Sequence, residues 1–553
     1  MGSAAFVSHQ WVGKSHPDPE FKQLRVLQDA IHHMLSNMKH IPLDQLTESL
    51  VPGSTSLDLK AMKARPLFIW YDYFSCPQLE SHIPDRVVHQ MSNLDQAISS
   101  IPAYVSRSTF FFALCPVVDS ESQDKVFTQG TWASRGWCKF EAACRELSPD
   151  SSWILIKSRT DVTLIATPLA SIAQSPGEGA FTVELDRRLL APIMLQAIRR
   201  KLHFCLRRED FVSYRVLLSL QKVHLRGFQT KPLVNLIPGY SAPELAVSES
   251  ARSVSHFLYQ YGFSSVRAVD SQGWAPLHYA ALAGDATLIG DLLEQRVDLN
   301  CVTKKDQHLA GMPPFASALV ISASFNHNES VRLLLSCKAR PGGLLQPAMV
   351  MAALANNAAA IRMLCESGCS PNTKDVLGFS AFEAACGFGN LDAAREIIRQ
   401  GGDTVDISRG LYCGMTNRGG TAELVEFLLS LRADVNHQFR LSSMTCMGRL
   451  LVAGKTLQHR FGKQTMGSKA SYHGQDVTPL MVAVMSGQYE GAAALLAAGA
   501  RTDLRNSRKK TVADFAEEQA LPRFLQDALE DGLNRVDVQR IASAALANSY
   551  FEV

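Results

Sequence analysis

"DSQGWAPLHYAALAGDATLIGDLLEQRVDLN", residues 270–300, decides the fold of the second half of this chain. Pro276 suits the first turn of a helix, and Ala280 and Ala281 are small enough for two helices to pack closely. Gly284 then allows a turn into a second helix. The apolar face of that second helix carries Leu288, Ile289, Leu292 and Leu293. A single helix pair cannot bury this face, so the stretch predicts neighbours of the same kind.

Those neighbours follow at intervals of roughly 30 to 38 residues, a period typical of stacked helical repeats. The further copies span residues 311–339, 346–372, 378–403, 414–436 (a degenerate copy) and 477–506. We predict six or seven repeats over residues 263–553, with a charged C-terminal cap near 509–530. An irregular insertion near 437–476, either a long loop or an irregular repeat, interrupts them. It lies on a binding face or is simply tolerated.

The repeats resemble ankyrin repeats. The usual Thr-Pro-Leu-His start survives as residues 275–278, the Ala-Ala step as 280–281 and the closing Asp-Val-Asn as 434–436. The resemblance implies an all-α solenoid whose concave face, formed by hairpin tips and first helices, binds a protein partner.

The first two hundred residues alternate short apolar runs with helical patterns, which predicts an α/β domain with a parallel sheet. The expected strands are residues 4–11, 66–75, 109–116, 152–158 and, with a weaker pattern, 180–185. The expected helices are 21–35, 94–105, 137–147 and 188–206. Five such units predict a flavodoxin-like domain over residues 1–208, and 209–262 are a helical linker or a degenerate repeat.

Four motifs carry a second resemblance. "FVSHQW" (6–11), "AISSIPAYVSRSTFFFALCP" (97–116) and "SRGWCKFE" (134–141) are similar to segments of Toll/interleukin-1 receptor (TIR) domains. "FIWYDYFSCPQ" (68–78) resembles the related fungal heterokaryon-incompatibility domains. The resemblance implies self-association and, in many members, cleavage of the bond between nicotinamide and ribose of NAD.

In TIR domains that cleave NAD the catalytic group is a carboxylate, and Glu141 matches its position. We expect Glu141 in the first turn of the helix after the third strand. A carboxylate there can stabilise the positive charge left on the ribose. Ser8, His9, Gln10 and Trp11 after the first strand, with Asp72 and Gln78 opposite, are expected to line the NAD-binding crevice.

Glu141 and several other residues of these motifs also have a purely structural interpretation. An acidic side chain in a first helical turn is favoured by the helix dipole without any catalytic duty. Trp137 and Cys138 are explained as core residues that anchor the helix to the sheet, and His9 and Trp11 as packing beneath the loop with Pro17 and Pro19. The leading hypothesis is therefore a signalling adaptor that binds proteins, the alternative is an NAD hydrolase, and a purely structural scaffold is the third.

The composition limits the classes of partner and ligand that we expect. A net charge of +3 gives no reason to expect nucleic acid, and no apolar run of 18 residues or basic-then-apolar start predicts a membrane span or signal peptide. The twelve cysteines include no CxxC pair, which favours reduced thiols in the cytoplasm. Cys365 and Cys369 lack a second ligand pair, so we predict no metal site and no required cofactor, with NAD only as a substrate.

Overall fold

The computed structural model describes residues 2–13, 16–51, 53–76, 93–120, 125–166, 175–241, 248–343, 345–401, 405–462, 464–519, 521–530 and 535–550. They form an α/β domain followed by an array of helix pairs.

The α/β domain is built on a five-stranded mixed sheet. Its strands are β1 (Ser3–Ser8), β4 (Leu67–Tyr71), β5 (Phe110–Leu114), β8 (Trp153–Ile156) and β9 (Val162–Ile165). The spatial order is β4-β1-β5-β8-β9, and all neighbours are parallel except β8 and β9. Two short antiparallel pairs, β2 (His40–Ile41) with β3 (Leu57–Asp58) and β6 (Val118–Ser120) with β7 (Lys125–Phe127), lie outside this sheet.

Helices cover both faces of the sheet. The helices of this domain are α1 (Lys22–Ser36), α2 (Gln45–Leu50), α3 (Lys60–Lys63), α4 (Asp72–Ser75), α5 (Asn93–Arg107), α6 (Gln129–Ser134), α7 (Gly136–Glu146) and α8 (Glu184–Arg207). On β5, Phe112 belongs to the core under α1, and Phe111 belongs to the core under α5 and α7. This alternation is that of a strand buried on both faces.

The prediction of a fifth parallel strand at 180–185 was wrong. Ala180 makes one parallel bridge to Arg135, and α8 begins at Glu184. The fifth strand is β9, which pairs antiparallel with β8. Only residues 157–161 connect the two strands, and a connection this short permits an antiparallel hairpin but no crossover to a parallel strand. The flavodoxin-like prediction therefore holds only as the coarser statement of a mixed, largely parallel sheet.

The second half of the chain is a stack of helix pairs. The first helices are α9 (Phe211–His224), α11 (Pro276–Leu282), α13 (Ala318–Ser324), α15 (Ala348–Leu354), α17 (Ala381–Phe388), α19 (Ile407–Thr416), α23 (Pro479–Met485) and α25 (Val512–Ala516). The second helices are α10 (Glu249–Tyr261), α12 (Ala286–Glu294), α14 (Asn328–Ser336), α16 (Ala358–Glu366), α18 (Leu391–Arg399), α20 (Ala422–Ser430), α24 (Tyr489–Ala497) and α26 (Arg523–Glu530). A last helix, α27 (Arg535–Tyr550), packs across α24 and α20.

Every first helix packs on the next one along the stack, from α9 to α25. The pair α9 and α10 packs on α11 and α12, so residues of the segment 209–262 extend the stack at its N-terminal end. The degenerate copy predicted at 414–436 is displaced, because its first helix, α19, already begins at Ile407.

The segment 437–476 is neither a loop nor a break in the stack. It contains α21 (Cys446–Phe461) and α22 (Met466–His473), which pack against each other. Helix α19 still packs directly on α23, so this helix pair projects from the array without separating its repeats.

The α/β domain is docked on the array. Lys157 donates hydrogen bonds to the carbonyl oxygens of Ser486 (3.0 Å) and Gly487 (3.2 Å), in the turn between α23 and α24. Arg418, between α19 and α20, lies 3.6 Å from the Asp44 carboxylate. One apolar core continues from the sheet into the array.

Four further contacts help to hold the docked surface. The Glu48 carboxylate on α2 pairs with Lys455 and accepts hydrogen bonds from Thr465 Oγ1 (2.7 Å) and Gly467 N (3.0 Å). Arg540 on α27 pairs with Asp119 in β6. The α/β domain is thus held by repeats, by the projecting helix pair and by the last helix.

Candidate functional site

The carboxyl ends of β1 and β4 lie side by side, and β1 contacts α7, as expected for an open α/β sheet. Ser8, the last residue of β1, is fully buried and donates a hydrogen bond to the Glu141 carboxylate. Its hydroxyl oxygen accepts a hydrogen bond from Trp132 Nε1 (3.1 Å). Cys138 Sγ lies 3.6 Å from the carbonyl oxygen of His9. The first-strand loop and Glu141 are therefore in direct contact.

Asp72 opens α4 and is the second acidic residue of this cluster. Its carboxylate contacts His9 Nε2 (2.7 Å) and accepts a hydrogen bond from Trp11 Nε1 (2.9 Å). The His9 ring stacks on Tyr71, with ring centroids 4.0 Å apart. Burial acts to raise the pKa of Asp72, but the His9 charge and the bonds from His9, Trp11 and the Tyr73 amide hold that pKa below its ordinary value.

Glu141 has the opposite electrostatic character. Burial raises its pKa to about 8, although the Ser8 hydrogen bond and the nearby Arg135 act to lower it. The carboxyl group is therefore mostly protonated at neutral pH. Two carboxyl groups with displaced pKa values in one cluster are typical of acid–base sites and also of buried polar networks.

The expectation that Glu141 lies in the first helical turn was wrong. Helix α7 begins at Gly136, which places Glu141 in the second turn, and the first turn contains no acidic residue. The start that we expected, at residue 137, differs by only one residue and already makes Glu141 the fifth residue of the helix, beyond its first turn. The helix dipole therefore does not explain the position of Glu141.

The predicted crevice residues are brought together, but most of them are buried or already hydrogen-bonded within the protein. Gln10 is buried and donates from Nε2 to the carbonyl oxygen of Thr128 (2.9 Å). Ser8 and His9 are also buried, whereas Trp11 and Asp72 are partly exposed. Gln78 lies outside the described residues. Trp137 packs on the core and donates from Nε1 to Asp186 (2.8 Å), as an anchor of α7 does.

A separate cavity of about 420 Å³ lies between the α/β domain and the array. Its walls are mostly apolar and include Trp132, Trp153, Phe325, Met351 and Tyr489. It reaches neither Glu141 nor Asp72, so this cavity and the predicted site do not coincide. Among the described residues, no three His, Cys, Asp or Glu side chains are grouped as metal ligands.

The array presents a different kind of surface. Of the predicted concave face, α11 and α23 are buried at every position and offer nothing to a partner. The hairpins that connect successive repeats are exposed. Val302, Phe315 and Val376, all at these hairpins, are each more than a third exposed.

One exposed apolar surface, on helix α21, was not among the sites expected from the sequence. Helix α21 carries Met447, Leu450, Leu451, Leu457 and Phe461, which are 49–79% exposed. Their spacing in "CMGRLLVAGKTLQHRF" (446–461) is a helical period, and that signal was available in the sequence.

The family comparisons agree with this geometry. The family described as "Ankyrin repeats (3 copies)" matches residues 319–409, and "Ankyrin repeat" matches residues 272–304. The array contains ankyrin repeats. Both matches lie within the stack of helix pairs, and neither extends into the α/β domain.

A solved structure, the human ASB11 ankyrin repeat domain, is similar to this chain at 21% identity. The match covers 46% of this chain and 96% of that one, with a TM-score of 0.33. A comparison with curated proteins returned no match. No helix among the described residues has the length and apolar character needed to cross a membrane.

Proposed function

We propose that this chain is a protein-recognition adaptor whose ankyrin hairpins bind a protein partner. The observation that supports this is the division of the array surface. The α/β domain occupies turns within repeats, at Ser486, Gly487 and Arg418, and the connecting hairpins at Val302 and Val376 remain exposed. Val302 and Phe315 lie on the same hairpin, where Phe315 N donates to the Thr303 carbonyl oxygen (3.0 Å), and neighbouring exposed apolar side chains are typical of protein-binding sites.

In this proposal the α/β domain is the signalling part, related to TIR domains and able to self-associate. Its four parallel strands have the order 2-1-3-4 when numbered along the chain, which doubly wound α/β domains share. A cytoplasmic location fits the twelve cysteines, all of which are free thiols.

Three forms of the full chain are compared for the proteins that they capture from a lysate of cells that naturally make this protein. The first is wild type, and the second carries Val302→Glu, Phe315→Glu and Val376→Glu. The third is a matched control with Leu185→Glu and Val234→Glu, two exposed apolar residues away from the hairpins. We expect a protein retained by wild type and control and lost from the hairpin variant. Equal capture by all three forms would refute the proposal.

The alternative function is cleavage of the nicotinamide–ribose bond of NAD. The specific observation in its favour is the contact between Ser8 and Glu141, with the Asp72 charge close enough to influence the Glu141 pKa. A protonated Glu141 would first have to ionise to stabilise a cationic ribose, and the positive nicotinamide ring of NAD would favour that ionisation.

Nicotinamide release from NAD by the full chain tests this alternative. Wild type is measured beside Glu141→Ala and Glu141→Gln, with Glu146→Gln as a control on the same helix. Release that both Glu141 variants lose and the control retains would support an enzyme with Glu141 as its working carboxyl group. Absence of release from wild type rejects it.

A further inference from the structure

Helix α21 has two opposite faces with different roles. One face packs on α22, where the His459 ring stacks on Tyr472 at 4.5 Å and Thr456 donates to the carbonyl oxygen of Ser471 (3.4 Å). The opposite face carries the exposed apolar side chains. We define the α21 seam as Met447, Leu450, Gly454, Leu457 and Phe461.

The seam has the spacing of a helix–helix contact. Its members follow at intervals of three, four, three and four residues, the repeat that keeps apolar side chains facing a partner helix. A Cβ atom added at Gly454 would meet nothing within 4 Å, so the centre of the seam is open to close approach. From Met447 to Phe461 the seam runs about 21 Å along the helix axis.

The charged residues in the segment around the seam are all positive. Between Asp434 and Asp476 the sequence contains six Lys or Arg residues and no Asp or Glu. Arg449 contacts Cys446 Sγ (3.3 Å), and the Arg460 guanidinium lies over the Phe461 ring (5.5 Å). Neither guanidinium reaches a carboxylate among the described residues, whereas Lys455 is paired with Glu48.

We infer that the α21 seam binds an acidic amphipathic helix of a partner protein. This inference rests on the proposed function and gives that function a second contact surface. The seam begins beside the hairpins, because Thr445 donates from Oγ1 to the carbonyl oxygen of Val376 (2.8 Å) and from N to that of Leu377 (3.3 Å).

Charge and shape favour this occupant over two others. An antiparallel second copy of α21 would bring Arg449 and Arg460 against arginines of the same kind, and like charges across a helix seam oppose pairing. A parallel copy would place both arginines against the side that carries Leu451, where α21 offers them no carboxylate. A membrane surface favours an amphipathic helix whose polar face is rich in Lys and Arg. In α21, Lys455 is paired with Glu48. Only Arg449 and Arg460 remain, and both lie on the side of the seam away from Leu451.

The test is a phage-displayed library of helical peptides selected on the immobilised full chain. The peptides have leucine at seam positions and random residues at the flanking positions. The seam variant Leu450→Glu/Phe461→Ser serves for counter-selection, and Val234→Glu is the control for an exposed apolar residue elsewhere. We expect the selected flanks to be enriched in Asp and Glu, with at least roughly tenfold weaker binding to the seam variant, about 1.4 kcal/mol.

A second variant tests the charge directly. Arg449→Glu/Arg460→Glu should select peptides with Lys and Arg at the flanks. Neutral or basic flanks on wild type, or unchanged selection on the charge variant, would overturn the inference. So would seam-dependent binding to phosphatidylserine vesicles without peptide binding, or seam-dependent dimers in sedimentation. If a cellular partner is lost from the hairpin variant but is still bound by the seam variant, the proposed function stands and the seam inference fails.

Discussion

Gly487 and Lys157 meet where the array contacts the α/β domain. The Lys157 ammonium group donates to the Gly487 carbonyl oxygen at 3.2 Å, and Gly487 has a φ of 65°. A Cβ atom at Gly487 would overlap the Asp161 carboxylate. This glycine therefore serves both the turn between α23 and α24 and the close approach of two chain segments more than 300 residues apart.

Gly487→Ala is expected to loosen the docked α/β domain. The substitution adds the left-handed backbone cost of about 1 kcal/mol and also pushes Asp161 out of its place. Hydrogen exchange should rise in residues 153–165. Gly499→Ala is the matched control, because its φ is 86° and nothing lies within 4 Å of an added Cβ. Equal exchange in the two variants would contradict a docking role for Gly487.

Lys157→Met is expected to destabilise the protein by about 3–5 kcal/mol, the usual cost of leaving one partner of a buried ion pair alone. Lys157 and Asp161 lie 3.1 Å apart with side chains less than 10% exposed. The double variant Lys157→Met/Asp161→Asn should recover part of the loss, because no buried charge remains unpaired. Thermal unfolding of the single and double variants measures the difference, and no recovery would show that the pair is not coupled.

The repeats were predictable because their signals are local. Pro276 begins α11 as expected, and the apolar residues of the second helix, such as Leu288, are buried in α12. Each repeat carries its own turn and its own apolar face, so a short window of sequence contains most of the information.

The rest depended on contacts that no short window contains. The apolar pattern offered residues 180–185 as the fifth strand, and only the pairing of Val162–Ile165 with β8 identifies β9 in that place. The contact of Ser8 with Glu141 followed from motif order, and the helix predicted at 137–147 is α7, but the hydrogen bond from Trp132 to Ser8 had no sequence signal. The docking of Lys157 on Gly487 joins two segments that carry no mutual sequence signal.

The Glu141 carboxyl group should make stability depend on pH. Its pKa is about 8 in the folded protein against an ordinary 4.5, so the folded state binds the proton more tightly. Stability contributed by this group is therefore fully present at acidic pH and is lost as pH rises from about 4.5 to about 8. Glu141→Gln, which cannot ionise, should become more stable relative to wild type by a few kcal/mol at pH 9.

Melting temperatures of wild type and Glu141→Gln between pH 5 and pH 9 measure this effect. Glu146→Gln, on the same helix, controls for the loss of one carboxylate from α7. A difference between wild type and Glu141→Gln that stays constant over the whole range would show that Glu141 is ionised throughout.

Arg409 is expected to hold the base of α21 in place. Its guanidinium lies 3.1 Å from the Glu383 carboxylate and donates to the carbonyl oxygens of Gly378 (3.2 Å) and Ser443 (3.2 Å), and both charged side chains are buried. It thereby ties the hairpin before α17 to the residues just before α21. Arg409→Met should raise hydrogen exchange in residues 441–450 and leave Glu383 without its cation.

The cost of that change should depend on pH. Burial raises the pKa of Glu383 to about 6 even beside Arg409, and removal of the cation raises it further. At pH 5 the carboxyl group becomes neutral and the loss is small, whereas at pH 8 an unpaired buried charge costs about 3–5 kcal/mol. Unfolding of Arg409→Met at the two pH values, beside Arg409→Met/Glu383→Gln, measures this difference. Because the double variant has no charge left to bury, its stability relative to wild type should vary less between the two pH values, and an equal pH dependence in both variants would rule out Glu383 as the cause.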